Sequence, residues 1–265
     1  MPRFAANLSL LYTEHPFPER IGAAARDGFA GVECQFPYAW PAAELAARRA
    51  EAGVAWVLIN TPAGDWAGGE RGLAALPGRE AEFRRGVDEA LAYADGLGCH
   101  RLHALAGLLP PGASREAAMA TYLDNLAWAA RQAADAGCTL LVEALNPHDM
   151  PGYLLATQAE AHRVVQAVGA PNLKVQLDLY HCAMCGGDPA TELREAVPTG
   201  RVGHMQVAGV PGRHEPDDGL LDPRALFALI DSIPEAAELW VGAEYLPRRG
   251  TEPGGTSAGL GWMQA

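Results

Sequence analysis

The stretch Thr139-Leu-Leu-Val-Glu-Ala-Leu-Asn146 decides how this chain is read. It is a short apolar run with one carboxylate, Glu143, near its carboxyl end, and helical patterns lie on both sides. Such a run reads as a buried strand, and a carboxylate at its end must be paired, metal-bound or set in a cleft. Three later runs finish alike: 174–181 carries Asp178, 201–208 carries Gln206 and 239–245 carries Glu244. The intervals between these four residues are 35, 28 and 38, close to the roughly 30 residues of one βαβ unit. Four consecutive parallel strands would thus bring oxygen ligands to one rim.

The same alternation runs back to the amino terminus. Strands are expected at 4–8, 31–35, 54–60 and 100–105, with helices at 18–27, 41–52, 79–97 and 114–136. Pro41 suits the first turn of its helix, Ser114 suits an N-cap, and Phe83, Val87 and Leu91 recur at helical spacing. Beyond the central stretch, helices are expected at 157–168, 189–196 and 223–232. From about residue 247 the tail is rich in Pro, Gly and Arg and reads as loop, with a last short turn near 260–263. Strands and helices alternate eightfold without a break in composition. That predicts a single (β/α)8 barrel over residues 1–265 rather than an open doubly wound sheet. The first βα turn lacks Gly-x-Gly-x-x-Gly, so no nucleotide cofactor is expected.

Composition narrows the partners. With 265 residues and 49% hydrophobic content, the chain can bury one large core. Its formal net charge of −12 repels nucleic acid and anionic membranes, and neither is an expected partner. An anionic substrate then needs a local cationic pocket. The stretch Met1-Pro-Arg-Phe-Ala-Ala-Asn7 shows no basic segment leading into an apolar signal core, and no apolar run reaches the roughly 18 residues of a membrane span. Five scattered cysteines fit a reducing cytoplasm, with Cys182-x-x-Cys185 read as loop packing because no second pair accompanies it. A homo-oligomer is compatible with all of this.

Side chains alternate along a strand, so the inward set can be read off directly. Gln176, Asp178 and Tyr180 share one face, His204 and Gln206 another, and Trp240, Gly242 and Glu244 a third. Each candidate ligand therefore points to the barrel axis near the carboxyl end of its strand, where barrel enzymes place their chemistry. Three carboxylates and an amide oxygen converging in a cleft need a cation or captured protons. An all-oxygen set of Glu143, Asp178, Gln206 and Glu244 favours Mg²⁺ or Mn²⁺ over zinc. Glu143 and Glu244 come from well-separated strands and are placed to flank a small substrate as an acid–base pair. His181 lies just past its strand within reach of a substrate oxygen, and Asn60 ends the third strand. Arg213 and Arg71 are candidate cations for a substrate carboxylate, and His148 follows the fifth strand. The long connection 61–78, with Trp66 and Arg71 inside it, is expected to be an ordered lid.

At these residues the chain resembles the hydroxypyruvate isomerase family of the xylose-isomerase-like barrels. The matching stretches include Arg3-Phe-Ala-Ala-Asn-Leu-Ser-Leu-Leu, Pro62-Ala-Gly-Asp-Trp-Ala-Gly-Gly-Glu-Arg-Gly and Leu76-Pro-Gly-Arg-Glu. Asn172-Leu-Lys-Val-Gln-Leu-Asp-Leu-Tyr-His, Gly203-His-Met-Gln-Val-Ala, Gly212-Arg-His-Glu-Pro and Trp240-Val-Gly-Ala-Glu-Tyr extend the match over nearly the whole chain. The resemblance implies aldose–ketose isomerisation of a small hydroxy-oxo acid: hydroxypyruvate to 2-hydroxy-3-oxopropanoate, or the one-carbon-longer 2-oxo-tetronate. It places the family's paired glutamates on Glu143 and Glu244, its metal ligands on Glu143, Asp178, Gln206 and Glu244, and substrate contacts on His181 and Arg213. One departure stands out, because Ala208-Gly-Val replaces the Ala-Asp-Asn usual after the Gln206 strand. Alternatives are a ketose 3-epimerase on the same barrel, a phosphodiester-cleaving barrel, which the acidic charge disfavours, and a non-catalytic barrel that binds sugar acids.

Overall fold

A computed structural model describes residues 1–264. Its strands are β1 (Arg3–Asn7), β2 (Gly31–Cys34), β3 (Ala55–Asn60), β4 (Arg101–His103), β5 (Thr139–Glu143), β6 (Leu173–Asp178), β7 (Val202–Val207) and β8 (Trp240–Ala243). Each pairs in parallel with the next, and β8 closes on β1 through Arg3↔Trp240 to Ala6↔Ala243. Around this barrel run α1 (Phe17–Arg26), α2 (Ala42–Ala52), α3 (Glu80–Leu97), α4 (Arg115–Asp135), α5 (Gln158–Val168), α6 (Leu179–Met184), α7 (Pro189–Ala196) and α8 (Pro223–Ser232). The expected (β/α)8 barrel is therefore what forms.

The strands stop sooner than their apolar runs do, for a reason visible at β6. Asp178 Oδ1 accepts the backbone N–H groups of Tyr180 (2.7 Å) and His181 (3.4 Å) and so caps α6. Tyr180 is thus a helical residue and not an inward strand residue, as alternation alone had predicted. Its hydroxyl donates across the rim to Asp149 Oδ2 at 2.8 Å. The Ser114 cap forms as expected, its Oγ accepting from Ala117 N at 3.2 Å.

Two cores result. Ala5, Val57, Leu58, Leu141 and Trp240 fill the barrel interior, while the larger cluster lies between sheet and helices. Val57 and Leu58 are neighbours, yet both belong to the inner set. The pairing explains this: Val32 faces Trp56 and Glu33 faces Leu58, so Val57 is an extra residue. Gly203 is likewise extra where Val175 faces Val202 and Gln176 faces His204. A Cβ at Gly203 would come within 2.8 Å of Leu141 Cδ2, so a glycine suits the crowded interior there.

The tail is more ordered than its composition suggested. A short helix, α9 (Gly255–Ala258), precedes a 3₁₀ turn at Leu260–Gln264. Trp262 is fully buried there, edge-on to Phe4 at 5.1 Å, and its indole N–H donates to Tyr245 Oη at 3.3 Å.

Candidate active site

The carboxyl ends of the strands surround a cavity of about 60 Å³ whose wall includes Glu143, Glu244, Gln206, His181, Arg213 and Asn60. Glu143 ends β5, Asp178 ends β6 and Glu244 directly follows β8, and all three are buried. Burial drives the Glu143 carboxyl well above its ordinary value, and the Asp178 and Glu244 charges add to the rise. Burial likewise lifts Asp178 to about 7 although Arg213 opposes the shift. Glu244 is raised for the same reason, again against Arg213. Three crowded carboxyls in a dry pocket resist carrying three charges together.

Arg213 is the cation among them. It sits in the loop after β7 with φ +54, the left-handed region that non-glycine residues seldom occupy. Its Nη2 lies 2.8 Å from Glu244 Oε2 and 3.9 Å from Asp178 Oδ2, while its guanidinium carbon stands 5.0 Å from the centre of the Tyr180 ring. Among the described residues its Nε has no hydrogen-bond partner, so one donor is left for a ligand.

His181 has a fixed tautomer. The backbone N–H of Asn146 donates to its Nδ1 at 3.1 Å, so that nitrogen must be an acceptor. Burial, helped by the Arg213 charge, drops its pKa well below the ordinary value and keeps the ring neutral. The proton therefore sits on Nε2, which lies 3.8 Å from Asp178 Oδ2. His181 offers an N–H to the site. His103, at the end of β4, is also held neutral, its pKa lowered to about 3 by burial and by His204.

Beneath the carboxylates lies a polar floor that reading the strand ends did not single out. Glu33 is completely buried in β2; its Oε1 accepts from Asn7 Nδ2 (3.0 Å) and Gln206 Nε2 (2.7 Å), and its Oε2 from His204 Nε2 (2.8 Å). Gln206 Oε1 in turn accepts from Gln176 Nε2 at 2.7 Å. Asn7 and Gln35 both donate to Glu244 Oε1, at 3.0 and 3.1 Å. The available signal was the shared parity of Glu33 and Gln35 on the second strand, together with Asn7 at the end of the first.

Two expected substrate contacts lie away from the cavity wall. Arg71 stacks 4.0 Å over the Trp66 ring, and its Nη1 donates to the carbonyls of Trp66 (3.0 Å) and Glu70 (2.7 Å), so it organises the loop itself. His148 is exposed in the turn after β5, where its backbone N–H donates to Asn146 Oδ1. Trp66 reaches the cavity instead, and its ring lies 5.2 Å from that of Phe36. Asp65 N to Glu70 Oε2 (2.6 Å) and Arg79 Nη1 to Glu70 Oε1 (2.6 Å) tie the loop down.

The site fits a divalent cation. Glu143 Oε1 and Asp178 Oδ2 are buried without a hydrogen-bond partner among the described residues, and orphaned anionic oxygens are costly unless protonated or bound to a cation. Glu143, Asp178 and His181 each present a ligand atom within 4.8 Å of the others. The protonated Nε2 of His181 makes it the least suited of the three. Of the ligands expected from sequence, Glu143 and Asp178 have these free oxygens. Gln206 and Glu244 here hold hydrogen bonds to other side chains.

Residues 21–265 match the family described as the xylose isomerase-like TIM barrel. The chain is 52% identical to the 2-oxo-tetronate isomerase of Cupriavidus necator, covering 100% of this chain and 98% of that one. It is 41% identical to the hydroxypyruvate isomerase of Escherichia coli K12, covering 99% and 98%. Among solved structures, a protein described as AP endonuclease, family 2, from Brucella melitensis superposes with TM-score 0.93 at 45% identity, covering 100% and 98%. D-psicose 3-epimerase from Clostridium cellulolyticum H10 shares the fold at TM-score 0.77 and 18% identity, covering 98% and 90%. An eight-stranded closed barrel, matched in sequence along nearly its full length, places this chain in the xylose isomerase-like TIM barrel family, beside the hydroxypyruvate and 2-oxo-tetronate isomerases.

Proposed function

We propose that this protein isomerises a small hydroxy-oxo acid, either hydroxypyruvate to 2-hydroxy-3-oxopropanoate or the related 2-oxo-tetronate, by proton transfer between adjacent carbons. The observation that supports this best is that Glu143 and Glu244 line one small cavity, with Arg213 against Glu244. One glutamate takes the proton from the hydroxyl-bearing carbon, leaving a cis-enediolate; the other delivers a proton to the former carbonyl carbon, and the hydroxyl proton passes to the former carbonyl oxygen as the new carbonyl forms. Burial raises both carboxyls, which makes each a stronger base when ionised. His181 Nε2–H holds a substrate oxygen. Arg213 holds the carboxylate through its free Nε–H, and Asn60 and Trp66 bound the cavity.

Glu143 and Asp178, joined by Gln206 and Glu244, would hold Mg²⁺ or Mn²⁺. A bound divalent cation would polarise the carbonyl and stabilise charge developing on its oxygen. A net charge of −12 and a mouth lined by Glu143 and Glu244 disfavour the endonuclease reading suggested by one relative's description. Among the described residues no helix is long and apolar enough to cross a membrane. All five cysteines are unpaired, which supports a cytoplasmic location.

The test is a coupled assay across three- and four-carbon 2-oxo acids, with and without chelator. Turnover of the acids supports the reading. Preference for tagatose or fructose would replace it with ketose 3-epimerisation, and binding without turnover of any would make the barrel a sugar-acid sensor.

A further inference from the structure

We propose that Glu33, which does not itself line the cavity, is a positioning residue: it fixes the amide of Gln206 and, through Asn7, ties one catalytic glutamate, Glu244, into the same hydrogen-bonded array. The inference rests on the isomerase reading for its catalytic half only.

A carboxylate accepts hydrogen bonds and donates none, so Asn7, His204 and Gln206 must all turn N–H groups toward Glu33. With Gln206 Nε2 held at 2.7 Å, its Oε1 is forced to the opposite side, where Gln176 Nε2 meets it at 2.7 Å. That is the oxygen needed by any cation at the rim. Without an acceptor at position 33 the amide is free to turn over and present NH₂, which repels a cation. The second arm runs through Asn7, whose Nδ2 is 3.0 Å from both Glu33 Oε1 and Glu244 Oε1. One buried carboxylate thereby sets the facing of Gln206 and holds Glu244 in place.

The fold makes room for it. Gly242 lies on β8 opposite Gln206 on β7 and Ala5 on β1. A Cβ there would lie 2.4 Å from Glu33 Oε2 and 2.5 Å from Oε1. The extra residue in β3 re-aims the strand pairing at this same step, Val32 to Glu33. Burying a carboxylate is costly unless it is fully hydrogen-bonded. A residue needed only for packing at this point would more simply be apolar.

Two variants test the role. Glu33→Leu removes every acceptor at position 33, so neither Gln206 nor Asn7 is held from below. Gly242→Ala keeps the carboxylate and displaces it. Groups that orient metal ligands typically change affinity or activity about 10–100-fold when mutated. Each variant should therefore lose kcat by about that factor, with KM little changed, and bind Mn²⁺ about 10–100-fold more weakly. A purely structural Glu33 would lower Tm while leaving kcat per folded molecule and Mn²⁺ affinity at wild-type values, and that result overturns the proposal. If Glu33→Leu does not fold, Gly242→Ala decides alone. The Mn²⁺ titration needs no substrate. A wild-type protein that binds Mn²⁺ but isomerises no hydroxy-oxo acid defeats the isomerase reading, and the Mn²⁺ affinities then judge Glu33 by themselves.

Discussion

Arg213 Nη2 lies 2.8 Å from Glu244 Oε2, so this arginine at the mouth is bound to a catalytic candidate before substrate arrives. A substrate carboxylate must share or replace that contact. Arg213→Ala should raise KM far more for hydroxy-oxo acids than for neutral ketoses, because only the acids lose a charge-assisted partner. Equal increases for both would remove Arg213 from substrate binding. Arg213→Lys should recover only part of the loss, since an ammonium lacks the planar fork.

Glu143→Gln and Glu244→Gln should each lower kcat by about 10²–10⁴-fold, the range lost with a general acid or base. At Glu143, which burial pushes up and whose Oε1 has no hydrogen-bond partner among the described residues, the isosteric amide should leave Tm unchanged or raised. At Glu244 the amide meets donors from Asn7, Gln35 and Arg213, so Tm should fall. Near-normal turnover by both variants would end the acid–base assignment.

Stability of the metal-free protein should fall as pH rises from about 4 to about 7. Asp178 is raised from an ordinary 3.8 to about 7 in the folded chain. The folded state thus keeps a proton that the unfolded chain gives up. Its stabilising contribution is complete below about pH 4 and is lost as pH climbs through about 7. Adding Mg²⁺ or Mn²⁺ should release protons near pH 7 and flatten the decline. Calorimetry in two buffers of different ionisation enthalpy measures the released protons, and none released would argue against ligation by these carboxyls.

Trp262→Ala should destabilise the barrel by about 3–5 kcal/mol, the usual result of truncating a buried aromatic. Its ring fills the space beside Phe4 and Phe227, at centroid distances of 5.1 and 5.9 Å. Urea denaturation reads the loss directly. A change below about 1 kcal/mol would mean the carboxyl-terminal turn is not part of the core.

Trp66→Ala should raise KM several-fold and leave Tm nearly unchanged. The residue is 39% exposed and contributes a cavity wall rather than core. Its stacking with Arg71 is worth about 0.5–1 kcal/mol at such an exposed site. Steady-state kinetics beside thermal melts distinguish the two effects. A collapse of Tm with KM unchanged would make the loop structural.

Local periodicity determined the barrel and the inward facing of Glu143, Asp178, Gln206 and Glu244. Strand alternation and βα spacing are properties of short segments, and these were legible along the chain. Tyr180 was misplaced because Asp178 chose to cap a helix, a competition between backbone and side chain that alternation does not register. Arg71 and His148 looked suitable by type and position, but the direction of a side chain leaving a loop depends on what it meets there. Glu33 and His204 stand 171 residues apart, and Asn7 and Glu244 stand 237 apart. Only closure of β8 onto β1, with one extra residue in each of β3 and β7, brings such partners within bonding distance. The sequence named the residues that face the mouth, and closing the sheet decided which of them hold one another, because hydrogen bonding reaches about 3 Å through space whatever the separation along the chain.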